Sequence, residues 1–223
     1  GAAECFEDSG ELVEVMRGDL KSESDLLSAM AGVKGVFHLA RANETTWQGY
    51  LANDIAVTKL IGECCLKAGV RRIVYTGTID SYQASRRGVT ITEETPFGNL
   101  LNRNLYARSK AACEEALMEL AVEKKLPLVI LRPGIVIGAG GPLQHWGIAM
   151  WSGPTDCKLW GKGDALLPFV SIADCAEALI LAIDVPGIEG RSFNIVGEPM
   201  LSAQDYFDAI ARSYGLKMRA RPT

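Results

Sequence analysis

Histidine is scarce in this sequence: His38 and His145 are the only two in 223 residues, so a metal centre would need ligands scattered among other residue types. The six cysteines, Cys5, Cys64, Cys65, Cys113, Cys157 and Cys175, include no C-x-x-C pair. Four of them fall in helical patterns, and they read as small buried thiols of a reducing, cytoplasmic compartment. There is no basic stripe and no polybasic run. Acids and bases are mixed along a chain of net charge -4, which argues against nucleic acid and membrane surfaces as partners. Long apolar runs are also missing, since Arg132 and Pro133 break one and Asp174 and Glu177 another; no bilayer span and no signal-peptide pattern is expected.

With 48% hydrophobic and 22% charged residues, the chain can bury one large core, with or without a small lobe. Residues 2–8 read as a helix tail and turn. Short apolar runs at 13–16, 35–40, 72–76, 128–131 and 192–196 read as strands. Helical spacing covers 51–68, closed by Gly69, and 105–125, while Ser22 with Asp25, Ser171 with Asp174 and Ser202 with Asp205 are capping patterns that open three more helices. Strands alternating with helices imply an α/β fold with a parallel sheet. The long loop over 79–104 is of a length that is more often functional than idle. Residues 139–163, rich in Gly and Trp, break the alternation and read as an appended lobe.

Within the helix over 105–125 stands the run Tyr106, Ala107, Arg108, Ser109, Lys110. A four-residue spacing puts Tyr106 and Lys110 on one face, roughly 6 Å apart along the axis. A free phenol titrates near pH ~10 and is a poor acid or base at neutrality unless a fixed positive charge favours the phenolate. An ammonium one turn away supplies that charge, which suits proton transfer at a carbinol carbon while a cofactor exchanges hydride. The same spacing occurs on ordinary solvated helices, so the pair needs support from elsewhere.

That support comes from the order of several motifs. Gly18-Asp19-Leu20, His38-Leu39-Ala40, Asn53, Thr78, Tyr106 with Lys110, Arg132-Pro133-Gly134-Ile135 and the 169–174 stretch follow one another along the chain. In this it resembles the extended short-chain dehydrogenase/reductase superfamily, of the NAD-dependent epimerase/dehydratase type, over its whole length. The resemblance implies a Rossmann-like doubly wound parallel sheet with a small C-terminal substrate lobe. The dinucleotide-binding core would be residues 1–137 plus 168–197, and the lobe 138–167 plus 198–223. It implies Tyr106 as general acid/base, Thr78 as the group that hydrogen-bonds the reacting oxygen, and Lys110 as the residue that lowers the Tyr106 pKa and holds the nicotinamide ribose. Asp19 and Leu20 would meet the adenine, Leu39 and Ala40 would flank the cofactor, and Pro133, Gly134 and Ile135 would lie under the nicotinamide. The cofactor implied is NAD or NADP and the partner a small-molecule substrate. A homodimer through the Tyr-bearing helix and the helix over 51–68 is the family's expected assembly.

Each of these residues also has a plainer reading. Asp19 can cap a turn, His38 can be a satisfied core histidine, Asn53 can simply open a helix, and Arg132 can pair or pack. Gln144, His145, Trp146, Trp151 and Trp160 can pack the lobe as readily as line a pocket.

Several departures from the family pattern carry their own expectations. No G-x-x-G-x-x-G turn occurs, although the family opens with a strand, a glycine-rich turn and a helix whose N-terminus binds the pyrophosphate. The sheet is therefore expected to be incomplete on its N-terminal side and the chain to be part of a longer one; residues 13–16 pairing directly with 35–40 in a closed sheet would count against this. Thr78 is followed by Ile79 and only then by Asp80, which disfavours dehydration, and Leu167 stands where a diphosphate-anchoring arginine is common, which weakens a nucleotide-sugar substrate. Arg41 replaces a usual alanine and Gly77 a frequent serine. The activity implied is that of an NAD(P)-dependent oxidoreductase or epimerase acting on a secondary alcohol or ketone, sugar derivatives included. The alternative is a non-catalytic dinucleotide-sensing or interaction module, for which an intact Tyr106 and Lys110 would have no use.

Overall fold

A computed structural model describes residues 12–83 and 90–223. The helix tail expected over 2–8, Cys5 and part of the long loop lie outside the described residues. Ser22 caps α1 (Glu23–Ala29), its hydroxyl accepting from the Asp25 N–H, and β1 (Gly35–His38) follows. α2 (Trp47–Tyr50), a wide π turn (Leu51–Ile55) and α3 (Ala56–Ala68) run on without a break. This helix begins at Trp47 rather than Leu51 because Thr46 supplies the cap, its hydroxyl accepting from the Gly49 N–H. It stops where expected, at Gly69 in the left-handed conformation. Next come β2 (Arg72–Thr76), α4 (Leu105–Lys124), β3 (Leu128–Pro133) and β4 (Ile135–Ile137).

β1, β2, β3 and a later strand, β9 (Ser192–Ile195), form one four-stranded parallel sheet in that order. Alternation decides what each face buries. Ile73, Tyr75, Leu128 and Ile130 pack with α1, α3 and α4 through Leu26, Ile61, Cys64, Leu117 and Leu120. Val74, Val129 and Leu131 point the other way, onto α5 (Ile172–Asp184) through Leu179, Ala182 and Ile183. Helices on both faces explain why β3 is continuously apolar over Leu128–Leu131 and buried at all six positions. The result is a Rossmann-like α/β sheet.

The remaining elements gather around a separate apolar cluster. β5 (Ala149–Trp151), β6 (Asp156–Leu159) and β11 (Arg219–Arg221) make a three-stranded sheet; β4 pairs with β8 (Phe169–Ser171), and β7 (Leu166–Leu167) with β10 (Leu201–Ser202). α6 (Ala203–Tyr214) starts in a full capping box of Ser202 and Asp205 and lays Tyr206, Phe207 and Ile210 against Ile135, Ile148, Leu159 and Phe169.

Several boundaries differ from the sequence reading. Residues 13–16 form no strand among the described residues; an isolated extended run has nothing to hydrogen-bond, and Val13, Val15 and Met16 stay 38–52% exposed. β1 ends at His38 rather than Ala40, its last rung being His38 with Tyr75. β3 runs on through Arg132 and Pro133 because β9 keeps pairing with them. β11 has no counterpart in the sequence reading. No described helix is long and apolar enough to cross a membrane, and the five described cysteines are free and buried.

Gly134 joins the two halves of the fold. A Cβ there would lie 1.9 Å from the Pro168 carbonyl oxygen, the same oxygen that accepts the Ile135 N–H at 2.8 Å. Gly134→Ala is expected to cost about 1–3 kcal/mol by overpacking against backbone, read as a loss of several degrees in Tm.

Candidate functional site

Thr78 follows β2 at the carboxyl end of the sheet, and its hydroxyl accepts from the Asp80 N–H at 3.1 Å. That bond turns the chain into a short 3-10 segment, Ile79–Ser81. Tyr106 sits in the first turn of α4, whose start is fixed by Asn104 accepting from the Ala107 N–H at 2.8 Å. Asp80 ties the two elements together: its carboxylate pairs with Arg103 at 2.5 Å and takes a hydrogen bond from Asn104 at 3.2 Å. One turn further along α4, the buried Lys110 ammonium donates to the Thr76 carbonyl at 2.9 Å and lies 4.8 Å from the centre of the Tyr75 ring. Thr78, Tyr106 and Lys110 are thus brought together.

Asp54, on the π turn, is buried and was not singled out from the sequence. It accepts from the Ser109 hydroxyl and from the Ala42 N–H, so it fixes α4 and the loop after β1 at once. Widened turns recur at functional sites. Arg108, on the outer side of α4, stacks 3.6 Å over Trp47.

Burial is the largest influence on the Tyr106 phenol and raises its pKa; the Thr78 hydroxyl and then the Arg41 guanidinium pull it down, while Asp80 and Asp54 push it up. The expectation that Lys110 leaves this phenol with a lowered pKa is therefore corrected. Burial outweighs the Thr78 hydroxyl and the Arg41 charge, and the Lys110 ammonium turns to the Thr76 carbonyl. Burial also lowers the pKa of Lys110 itself, against the charge of Asp54. His38 is buried with Nε2 2.9 Å from the Thr58 hydroxyl; burial first, then the Lys110 charge, depress its pKa to about 4, with Asp54 opposing. It is a neutral core imidazole at pH 7.

Beneath Tyr106 and Lys110, Glu114 and Arg132 form a buried ion pair at 2.7 Å. Arg132 also donates to the Tyr82 hydroxyl at 2.6 Å, which bonds Asn194 on β9 at 3.0 Å. A Cβ at Gly77 would stand 2.1 Å from Glu114 Oε1, so glycine is what leaves room for this carboxylate. Arg132 pairs and packs, as its plainer reading has it. Glu114 and Tyr82 carried no sequence pattern that marks them.

The residues expected around the dinucleotide occupy three places. Leu39 and Ala40, exposed, leave the end of β1, and Pro133, Gly134 and Ile135 the end of β3, with Pro133 and Ile135 buried. Asp19 and Leu20 are exposed before α1; Asp19 Oδ1 accepts from the Lys21 N–H at 2.9 Å, a turn-capping bond. Lys21 donates to Asn53, whose amide donates to Glu44 at 2.6 Å. In the lobe, the Trp151 indole donates to the His145 carbonyl and packs edge-on against Phe207, while Trp146 and Trp160 stay 67% and 47% exposed. His145 lies near enough to Asp80 to feel its charge. Two open clefts, of 430 and 520 Å³, lie on the lobe and include neither Thr78, Tyr106 nor Lys110 in their walls.

A family model described as NAD dependent epimerase/dehydratase family matches residues 2–196. Cinnamoyl-CoA reductase 1 of Petunia hybrida is 25% identical over 219 residues, covering 94% of this chain and 64% of that protein. A 2-alkyl-3-oxoalkanoate reductase of Stenotrophomonas maltophilia is 30% identical over 196 residues, 83% of this chain and 58% of that protein. The chain thus spans less than two thirds of these curated relatives. Among solved structures, gox2253 is similar at a TM-score of 0.78 and 26% identity, covering 96% of this chain and 65% of that one. MoeE5, solved with UDP-glucose and NAD, is similar at 0.75 and 25%, covering 93% and 71%.

The depressed His38 pKa has a thermodynamic consequence. Between pH 6.5 and about 4 the folded imidazole is neutral while the unfolded one is protonated, so unfolding takes up a proton and stability falls as the pH drops through that window. At about 1.4 kcal/mol per pKa unit, the loss should be on the order of 3 kcal/mol. His38→Asn is expected to flatten this part of the stability profile, measured by urea unfolding at a series of pH values.

Proposed function

We propose that this chain, which belongs to the NAD dependent epimerase/dehydratase family, serves an oxidoreductase or epimerase that moves hydride between NAD or NADP and a secondary alcohol or ketone. The observation that carries this reading is the meeting of Thr78, Tyr106 and buried Lys110 at the carboxyl end of a parallel sheet, where such folds bind their ligands. Lys110 fits a dinucleotide: it spends one N–H on Thr76 and keeps two donors for ribose hydroxyls. We assign Leu39, Ala40, Pro133, Gly134 and Ile135 to the nicotinamide half and Asp19 and Leu20 to the adenine half. When bound, the dinucleotide supplies or accepts the hydride.

Tyr106 holds the proton. Because burial keeps the phenol protonated, it is set to donate to a carbonyl oxygen as that oxygen gains charge, with Thr78 as the second donor that orients it. A carbonyl substrate accords with the reductase names of the curated relatives, and a sugar derivative with the UDP-glucose in MoeE5. Leu167, standing where a diphosphate-anchoring arginine is common, favours the former, and Ile79 after Thr78 argues against dehydration. The division into a core of residues 1–137 plus 168–197 and a lobe of 138–167 plus 198–223 belongs to the same proposal; the lobe's elements share an apolar cluster that also takes in Ile135 and Phe169 from the core side. A homodimer through α3 and α4 and a cytoplasmic location belong to it too, the latter supported by five free, buried cysteines.

In the intact protein, Tyr106→Phe is expected to lower kcat by about 10²–10⁴-fold while leaving dinucleotide affinity nearly unchanged. Full turnover in that variant would refute the role. A raised phenol pKa also sets the sign of the pH profile: carbonyl reduction should hold level through neutrality and fall only in the alkaline range, where the phenol loses its proton.

A further inference from the structure

Arg41 follows Ala40 in the loop after β1, and its guanidinium carbon stands 5.4 Å from the centre of the Tyr106 ring, within cation–π range. The backbone beside it is pinned: the Ala42 N–H donates at 3.1 Å to Asp54, a buried carboxylate that also accepts from Ser109 on the Tyr106 helix. Loop and helix therefore keep a fixed separation. The other charged groups around the phenol are committed elsewhere. On the 3-10 segment, Asp80 is paired with Arg103, bonded to Asn104 and felt by His145 of the lobe. On α4 itself, Lys110 donates to the Thr76 carbonyl, and Asp54, which favours its charge, opposes the cations at the phenol. Of the cations, Arg41 pulls hardest on the phenol, and among the described residues no carboxylate pairs with it.

We propose that Arg41 is the counter-charge of the Tyr106 phenolate and so sets how readily this phenol gives up its proton, with Lys110 left to the ribose. When the O–H bond of Tyr106 breaks, the proton joins the substrate oxygen and the electron pair stays on the phenolate, opposite the guanidinium; solvent restores the proton. A cation over the ring holds the anionic form more tightly than the neutral one. Burial makes the phenol a reluctant acid. Arg41 offsets part of that reluctance, and does so for the state in which the proton has moved, which is where stabilisation speeds a reaction. It acts through Tyr106 and need not touch the substrate. The inference rests on the oxidoreductase reading above for its kinetic consequence, whereas the pairing of guanidinium and phenolate can be measured without turnover.

The test uses the intact protein and two readouts. The first is an NMR titration of protein isotope-labelled at the tyrosine phenol carbon, the Tyr106 signal being identified by its loss in Tyr106→Phe. Arg41→Met, which keeps an apolar stem over the ring, should titrate at higher pH than wild type, and Arg41→Lys close to wild type. The second is the pH profile of kcat for oxidation of a series of simple secondary alcohols at saturating NAD or NADP. On its acid side, where the rate follows the phenolate fraction, Arg41→Met is expected to be about 3–10-fold slower, the weight of one partly screened charge at this separation. Added salt should slow wild type there and leave Arg41→Met unaffected. A Tyr106 signal that titrates alike in wild type and Arg41→Met, with folding confirmed by near-UV circular dichroism, would overturn the proposal. So would weakened dinucleotide binding in Arg41→Met with the Tyr106 titration unmoved, the result expected of a phosphate contact. A shifted titration without turnover in wild type would support the charge pairing and count against the oxidoreductase reading.

Discussion

The buried ion pair of Glu114 and Arg132 is the constraint on which the geometry of this protein depends. Tyr106, Lys110 and Glu114 are spaced by fours and so share one face of α4; the third of them anchors that face to β3. Arg132 carries the connection on through Tyr82 to Asn194 on β9, so helix, loop and two strands meet at one guanidinium. Removing two charges from water is costly, and such a pair is often no more stable than apolar residues of the same shape. What it adds is position. A helix held only by apolar contacts can slide by fractions of a turn, whereas a carboxylate bonded to both Nε and a terminal nitrogen of one arginine fixes both rotation and translation of α4.

The same economy of partners governs the ionisable groups above it. Asp54, Lys110, His38, Arg41 and Tyr106 influence one another, yet three of them are held in place by bonds to neutral groups: Asp54 to Ser109, Lys110 to the Thr76 carbonyl, His38 to Thr58. Charge near the phenol is consequently spread over several elements rather than concentrated in a single Tyr–Lys contact. Burial can then keep the phenol protonated while a cation on either side remains available to molecules that enter.

Much of this was legible in the chain. The strands at β2 and β3 follow from continuous β-branched and apolar runs, and the helix starts at Ser22, Ser171 and Ser202 from local hydroxyl and acid spacing; Gly69 needs nothing but its missing Cβ. Such features are written within a few residues. Residues 13–16 have the composition of a strand and lack a ladder partner, and composition does not report partners. β11 and the extra rungs of β3 exist through pairing with distant strands. In the site, Tyr106, Lys110 and Thr78 could be found because their order along the chain carries a pattern. Asp54, Glu114 and Arg41 matter through what they face across 55, 18 and 65 residues respectively, distances at which one sequence records no spacing.

The π turn at Leu51–Ile55 holds one residue more than an α-helix would need over the same length. That surplus makes the segment a length-tolerant joint. Trimming the surplus residue would let the helix close into regular α geometry with both flanks near their present orientation, whereas trimming a residue from the α-helical turns that follow would rotate the two flanks relative to one another by about 100°. A deletion is therefore best absorbed inside the π turn, and the same change a turn later would draw Trp47 away from its stack with Arg108.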